Sequence, residues 1–282
     1  MWNYHLHSRC SFDAEHPLTE MCRAAKQAGI YELCLTDHCD LVDEKGKPND
    51  DFDWAAENRE LLAARTAYPE LTIRKGVELG QAILRPQAAE NILAEPDIDS
   101  VLGSMHDSPQ GIDYYWMEYT SVAQCRKLIE EYLEALLELS RTDYFDSLAH
   151  MTYPLRYMRD RGGIPVDFRC CDDLVQEILK TLVERGKALE LNTSGYQNPG
   201  HEPLPPEYIV KRYRELGGEL ITIGTDAHEP NNIAAGLEQL IEYINNLEFT
   251  DGDIEYLRSK NVFDEAFLEK LKTFRFTGDI YA

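Results

Sequence analysis

Short apolar runs rich in β-branched residues recur along the chain, and longer stretches with helical spacing of apolar residues separate them. Because strand-like and helix-like segments alternate with no linker between the units, the pattern favours a parallel α/β architecture. A doubly wound sheet and a barrel both satisfy it. The predicted strands are residues 2–7, 31–36, 71–78, 98–104, 145–149, 187–192 and 219–225.

The stretches between the strands predict amphipathic helices. In the first, PLTEMCRAAKQAG, Pro17 suits the first turn and Gly29 follows the last one. Residues 40–53 and 107–119 predict long loops, and residues from about 247 predict a C-terminal extension of one domain that spans 1–282. Apolar residues also have helical spacing in CRKLIEEYLEALLELSR, CDDLVQEILKTLVERG and PPEYIVKRYRELGG.

Polar side chains follow the predicted strands at their C-terminal ends. Six of the eight histidines lie there, whereas His16 and His201 lie elsewhere. In a closed parallel barrel these strand ends meet at one face. A cluster of imidazoles and carboxylates would be costly there without a metal, so the positions predict a polynuclear metal site. The strand-end residues are His5, His7, His38, Glu78, His106, His150, Asn192, Asp226 and His228.

Some neighbours of these residues have two interpretations. Asp37 precedes a strand-end histidine, and we expect it to orient an imidazole rather than to bind a metal. Asp13 is either a ligand or a helix cap, and His16 competes with it as a ligand. Cys10 and Cys39 lie close to the ligands, and we expect both to be packing residues.

Composition narrows the class of protein. The chain has 282 residues, 43 % of them hydrophobic, which is enough for a sizeable core. A net charge of −23 argues against binding a nucleic-acid backbone or an anionic membrane surface, although bound metal ions can still attract a small anion. Seven irregularly spaced cysteines, no signal peptide and no long apolar span predict a reduced cytoplasmic protein. The residues indicate no particular oligomeric state.

The ordered motifs HLHS, TDH, GVE, GSMH, AH, NTSG and GTDAH resemble the PHP (polymerase and histidinol phosphatase) superfamily, and its histidinol-phosphate phosphatases in particular. The resemblance implies a distorted (β/α)7 TIM-like barrel that holds three divalent metal ions. Mixed imidazole and carboxylate ligands suit zinc, iron or manganese. The implied ligands are His5, His7, Glu78 and Asp226 for one ion, Glu78, His106 and His150 for a second, and Asp13, His38 and His228 for a third.

The resemblance implies hydrolysis of L-histidinol phosphate, a step of histidine biosynthesis. The expected nucleophile is a metal-bound hydroxide held by Glu78, Asp226 and His228. A phosphoesterase on the same barrel that acts on a nucleotide or on phosphotyrosine is the alternative. A non-catalytic module like the barrel attached to bacterial DNA polymerases is less favoured, because the ligand set is complete and the chain is acidic.

Substrate selection must come from the loops. Arginines after the fifth strand can grip a phosphate with two hydrogen bonds, although one or two of them can equally face solvent. The acidic loop after the second strand and the aromatic segment YYWMEY can receive a cationic amine and an imidazole, and the aromatic segment can also be a lid or a subunit contact. The candidate substrate-binding residues are Arg156, Arg159, Arg161, Ser8 and Asn192.

Overall fold

The computed structural model describes residues 1–43, 45–198 and 200–246. Its parallel strands follow the order β1-β2-β4-β5-β6-β7-β8, and β3 pairs with β4 outside this path. The predicted extension from about residue 247 lies outside the described residues. The strands are β1 (Trp2–Leu6), β2 (Glu32–Leu35), β3 (His38–Asp40), β4 (Thr72–Gly80), β5 (Ser100–Ser104), β6 (Ser147–Leu148), β7 (Ala188–Asn192) and β8 (Ile221–Gly224).

The sheet is nearly closed between its first and last strands. A parallel bridge joins Leu6 to Ala227, the His7 amide donates to the Ala227 carbonyl at 2.9 Å, and the Asp226 amide donates to the His5 carbonyl at 2.8 Å. The predicted distorted (β/α)7 barrel is therefore confirmed, with β3 as an addition to its seven-stranded path.

Helices cover the outside of the barrel and bury one face each. In α4, the buried residues Cys125, Ile129, Leu133 and Leu136 recur every three or four positions, which is the spacing of an apolar stripe on a helix. The helices are α1 (Leu18–Gln27), α2 (Trp54–Ala67), α3 (Pro86–Leu93), α4 (Val122–Ser140), α5 (Tyr153–Asp160), α6 (Asp172–Arg185), α7 (Glu207–Glu215) and α8 (Leu237–Asn246).

The structure corrects several predicted boundaries. Pro17 is the residue before the first helix rather than part of its first turn. The predicted loop 40–53 begins inside β3, because His38 and Asp40 pair in parallel register with β4. Within the predicted loop 107–119, a short 3-10 helix over Tyr114–Trp116 follows Asp113, whose side chain accepts from the Tyr115 amide. Among the described helices, none has the length and apolar character that a membrane crossing requires.

Candidate metal centre

Glu78 lies at the centre of the strand-end cluster, near the end of β4, and is completely buried. Its Oε1 lies 2.8 Å from His150 Nε2 and 3.0 Å from His106 Nε2. Its Oε2 lies 3.2 Å from His5 Nε2 and 3.0 Å from His38 Nδ1. One carboxylate therefore touches two imidazoles that lie on β1 and β3. It also touches two imidazoles that lie two residues beyond the ends of β5 and β6.

Asp226 is a second carboxylate of the cluster, and its side chain is 8 % exposed. Its Oδ1 lies 3.2 Å from His7 Nε2 and 3.6 Å from His5 Nε2. The two imidazole nitrogens lie 3.1 Å apart. Closure of the barrel between β8 and β1 brings these three side chains together, although Asp226 is more than 200 residues away from both histidines in sequence.

A third group forms at the edge of the cluster. His228 Nε2 lies 3.1 Å from Asp13 Oδ2 and 3.4 Å from His38 Nε2, and His38 Nε2 lies 3.7 Å from the same Asp13 oxygen. His16, the competing candidate, instead pairs with Glu20 at 2.8 Å, and 40 % of its side chain is exposed. The structure therefore brings Asp13, rather than His16, to the other candidate ligands.

The protonation pattern of these histidines suits metal binding. His5 Nδ1 lies 2.7 Å from a Glu190 oxygen and His106 Nδ1 lies 2.9 Å from an Asp40 oxygen, so in the neutral rings each Nδ1 carries the proton and each Nε2 has a free lone pair. The free Nε2 atoms face Glu78 and a neighbouring imidazole. Such converging lone pairs and carboxylates can hold a divalent cation.

Among the residues that the structure describes, five triads bring three ligand atoms within 4.8 Å of one another. Four of them are built from predicted ligands alone, and one includes Asp40. The triads are His7, His38 and His228; His5, His150 and Asp226; His5, His7 and Glu78; His38, Asp40 and His106; and Glu78, His106 and His150.

Carboxylates and imidazoles in the cluster strongly shift one another's pKa values. Burial opposes the charged form of His5, but Glu190, Glu78 and Asp226 raise its pKa well above the usual value. Burial likewise opposes ionisation of Glu78, but the surrounding imidazoles hold its pKa well below the usual value. His7 behaves in the opposite way to His5, because burial and the neighbouring imidazoles lower its pKa.

Comparison with known protein families matches the profile described as PHP domain to residues 3–194, which is more than half of the chain. The chain belongs to the PHP domain family. A second profile, described as nicotinate phosphoribosyltransferase N-terminal domain, matches residues 220–282, and the described part of that range contains β8 and α8 of the PHP barrel.

Relatives of this PHP domain include proteins named for one activity. A "Probable histidinol-phosphatase" of Thermotoga maritima is 30 % identical, and the match covers 88 % of this chain and 93 % of the relative. A "Probable histidinol-phosphatase" of Clostridium acetobutylicum is 28 % identical, and the match covers 87 % of this chain and 93 % of the relative. The predicted family is confirmed.

The fold is shared with a solved structure. Histidinol phosphate phosphatase from Lactococcus lactis, crystallised with zinc, L-histidinol and phosphate, superposes with a TM-score of 0.72 at 24 % identity. The match covers 88 % of this chain and 94 % of the lactococcal chain. It supports the barrel fold described above.

The sequence-based prediction missed two carboxylates that contact the strand-end cluster. Glu190, on β7, is completely buried, bonds to His5 Nδ1 and accepts from the His150 amide at 2.6 Å. Asp40, at the end of β3, bonds to His106 Nδ1. An acidic residue inside the otherwise apolar run ALEL was the available signal for Glu190, because a buried carboxylate needs a partner. Asp40 gave no such signal, since its strand resembles a loop.

Asp37 supports the ligands indirectly, and Ser8 is part of the same network. Asp37 accepts from the Ser8 amide at 2.5 Å, from the Ser8 hydroxyl at 2.6 Å and from the Ser11 hydroxyl at 2.7 Å. Ser11 Oγ lies 3.0 Å from His7 Nδ1. Ser8 is completely buried and supports the strand end through Asp37, and its contact with a substrate stays a prediction.

The three candidate arginines occupy different environments. Arg156 donates to the Ser194 hydroxyl, and its Nη2 lies 3.6 Å from Asp226 Oδ2. Arg159 pairs with Glu202 at 2.7 Å. Arg161 donates to the Met117 carbonyl at 2.7 Å and packs against tyrosine rings. Among these three described side chains, Arg156 is the one that lies next to a candidate metal ligand, and phosphate contact by Arg159 and Arg161 stays a prediction.

Asn192 is also engaged within the protein. Its Oδ1 accepts from the Ser194 amide at 3.0 Å and from the Ser194 hydroxyl at 2.5 Å, and its Nδ2 donates to Glu190 at 3.2 Å. The residue is completely buried. In the structure it holds Ser194 and Glu190, which contact Arg156 and His5, and its contact with a substrate stays a prediction.

Aromatic side chains line the approach to the centre. The Phe12 ring is 80 % exposed, and its centroid lies 5.2 Å from that of His38 in a stacked arrangement. The Tyr153 ring lies 5.0 Å from the His106 ring. The exposed Phe12 ring, which touches a candidate ligand, is suited to contact a planar group of a bound molecule, whereas Tyr153 is buried.

Proposed function

We propose that this PHP domain is a metal-dependent phosphomonoesterase that hydrolyses L-histidinol phosphate to L-histidinol and inorganic phosphate. The observation that carries the proposal is the convergence of six imidazoles on Glu78, Asp226 and Asp13 at the carboxyl ends of the barrel strands. The names of the relatives from Thermotoga and Clostridium support the choice of substrate, as do the zinc, L-histidinol and phosphate in the lactococcal structure.

Three divalent ions, zinc, iron or manganese, are the proposed cofactors, because these metals accept mixed imidazole and carboxylate ligands. Such ions polarise phosphoryl oxygens and bring the pKa of a bound water toward neutrality. Glu78, Asp226 and His228 are the ligands proposed to surround the attacking water. The proposed ligand sets are His5, His7, Glu78 and Asp226; Glu78, His106 and His150; and Asp13, His38 and His228.

Arg156 is the proposed phosphate contact of the chain itself. Its guanidinium lies beside Asp226 and Ser194, so it reaches the edge of the metal centre while keeping further N–H groups for a ligand. A guanidinium can donate two parallel hydrogen bonds to one phosphoryl group. Asn192 and Ser194 hold this side chain in place.

The amine and imidazole of the proposed substrate need carboxylates and aromatic surface. Asp113 accepts from the Tyr153 hydroxyl at 3.4 Å, and Tyr153 packs beside His106 and His150. Burial, with the nearby Asp40 carboxylate, raises the pKa of Asp107 to about 7. We propose that this acidic and aromatic side of the centre receives the cationic end of the substrate.

The test is phosphate release by the full-length, metal-loaded protein with four substrates: L-histidinol phosphate, AMP, a phosphotyrosine peptide and p-nitrophenyl phosphate. We expect the highest kcat/KM for L-histidinol phosphate. The His106→Ala variant, which removes a proposed ligand, should be inactive, whereas His16→Ala should retain activity because His16 pairs with Glu20 outside the centre.

The outcomes separate two claims. Comparable or faster turnover of AMP or of the phosphotyrosine peptide would reject the substrate but keep the metal-dependent phosphoesterase. Equal activity of wild type and His106→Ala would reject the centre itself as the site of catalysis.

A further inference from the structure

A cavity lies at the opposite end of the barrel from the metal centre. Its volume is about 530 Å³, and its lining residues lie at or just before the starts of β1, β4, β5, β6, β7 and β8. Since all these strands are parallel, their starts form the face away from the one that carries the histidines. We call this space the basal cavity.

Small side chains leave this end of the barrel open. Ser147 Oγ and Thr222 Oγ1 lie 2.7 Å apart although β7 separates their strands, so both point into the barrel. Ala188, on β7, lines the same space. Bulky branched side chains usually fill the interior of a parallel barrel. Thr222 and Ala188, which are partly exposed, therefore leave room for a ligand, whereas Ser147 is completely buried.

Four charged residues surround the basal cavity in strand order. Arg74 is on β4, Asp99 precedes β5, Asp146 precedes β6 and Lys187 precedes β7. Asp146 Oδ2 accepts from the Val101 amide at 2.9 Å, which places this carboxylate beside the start of β5. The two carboxylates thus occupy neighbouring strands, with one basic residue on either side of them.

These charges are held in place but keep capacity for a ligand. Arg74 Nε donates to Glu32 Oε1 at 2.9 Å, while its Nη1 lies 3.5 Å from Asp99 Oδ1. Lys187 Nζ donates to the Phe145 carbonyl at 2.5 Å, and an ammonium has three N–H groups. The other oxygen of Asp99, Oδ2, accepts from the Lys75 amide at 2.9 Å.

We propose that the basal cavity binds a small zwitterion of the α-amino acid class. The ligand's ammonium group would lie at Asp99 and Asp146, and its carboxylate at Arg74 or Lys187. A simple anion would meet the two carboxylates and a simple cation the two basic groups, whereas a zwitterion satisfies both signs. The volume falls in the range of roughly 300–1,000 Å³ that ligand pockets usually have.

The experiment measures binding of L-leucine, L-glutamate and L-lysine to the full-length protein by calorimetry and thermal shift. N-acetyl-L-leucine and L-leucinamide serve as analogues that each lack one of the two charges. Because amino acids also chelate metals, each titration is repeated with chelator-treated protein, in which binding at the basal cavity should persist.

Two conservative variants locate the site. Arg74→Gln and Asp146→Asn each remove one charge while keeping hydrogen-bonding groups, and each should weaken amino-acid binding on the order of tenfold or more. Their kcat/KM for p-nitrophenyl phosphate should equal that of wild type, since neither residue touches the metal centre. The wild-type protein should bind at least one amino acid more tightly than both charge-deficient analogues.

Three results would overturn the proposal. These are the absence of saturable binding by all three amino acids at millimolar concentration, equal binding of an analogue that lacks one charge, and unchanged binding in both folded variants. If the analogue that binds equally is N-acetyl-L-leucine, which lacks the ammonium charge, the cavity is a simple anion site. Because activity is measured in parallel, none of these results bears on the proposed phosphatase reaction.

Discussion

Arg156, Arg159 and Arg161 lie within one short stretch of the chain, yet their side chains differ in what they can bind. Arg159 and Arg161 are held by Glu202 and by the Met117 carbonyl. Arg156 instead lies beside Asp226, where its pKa is raised by the neighbouring carboxylate and tyrosines although burial opposes its charge. A single residue's role therefore depends on which partner already holds it.

Replacing Arg156 tests the phosphate contact. A hydrogen bond to a charged group contributes about 1.5–3 kcal/mol, so Arg156→Gln should lower kcat/KM by roughly 10–100-fold. Metal content should not change. Arg159→Gln is the matched control and should stay close to wild type in steady-state phosphate-release assays. Equal losses in both variants would contradict the specific role of Arg156.

Glu190 provides a second test at this scale. Glu190→Gln keeps the shape of the side chain, but the amide cannot accept from both His5 Nδ1 and the His150 amide. Loss of a carboxylate that orients a ligating histidine usually lowers metal affinity by about 10–100-fold. Metal titration against a competing chelator measures this, with Glu202→Gln as control. Wild-type affinity in Glu190→Gln would show that Glu190 does not orient the ligand.

At the scale of elements, the centre depends on how closely neighbouring strands approach. Gly224 ends β8 next to His5 on β1 and Glu190 on β7. A Cβ atom at Gly224 would lie 2.2 Å from His5 Cβ and 2.3 Å from Glu190 Oε1. Both distances are shorter than any normal contact, so only glycine lets these three strands hold their side chains in this arrangement.

Gly224→Ala should therefore displace a ligand without a general loss of fold. We expect weaker metal binding together with a destabilisation of about 1–3 kcal/mol, the usual cost of overpacking. Gly186→Ala is the control: its φ of 63° disfavours alanine, but no atom lies within 4 Å of the added Cβ. It should lose stability and keep metal affinity, as followed by thermal unfolding and metal analysis. Unchanged metal affinity in Gly224→Ala would contradict the steric argument.

At the scale of the whole molecule, a chain with a net charge of −23 concentrates most of its imidazoles in one buried cluster. Carboxylates raise the pKa values of His5, His38, His106 and His228 although burial opposes protonation. Protons and metal ions therefore compete for the same nitrogen atoms. Metal binding should release protons and should be linked to the stability of the entire barrel.

The sign of the pH dependence follows from these shifts. In metal-free protein, a histidine with a raised pKa adds stability below its unfolded pKa of about 6.5, and this stability is lost as the pH rises through the folded value. Metal affinity rises over the same interval. The difference in Tm between metal-loaded and chelator-treated protein should thus widen from about pH 6 to about pH 8. Calorimetric scans that show a constant or narrowing difference would contradict the competition.

The sequence by itself determined the family, the alternation of strands and helices, and the positions of six histidines at strand ends. These features are local: side-chain period, helix ends and short motifs are legible within a few residues. The strand ends then converge for a general reason, since parallel strands in a barrel share one carboxyl face. For that reason His5 and His228 could be grouped before their distances were known.

Only the tertiary structure decided which side chains meet within that face. Asp13 lies beside His228 whereas His16 turns to Glu20, Ser8 and Asn192 hold other side chains, and Glu190 orients His5 from the far side of the barrel closure. The contacts of Asp13, Ser8 and Glu190 join residues distant in sequence, and their formation depends on register, closure and packing. The cavity at the opposite end has the same origin, because small residues on separate strands leave a space only where the barrel brings them together.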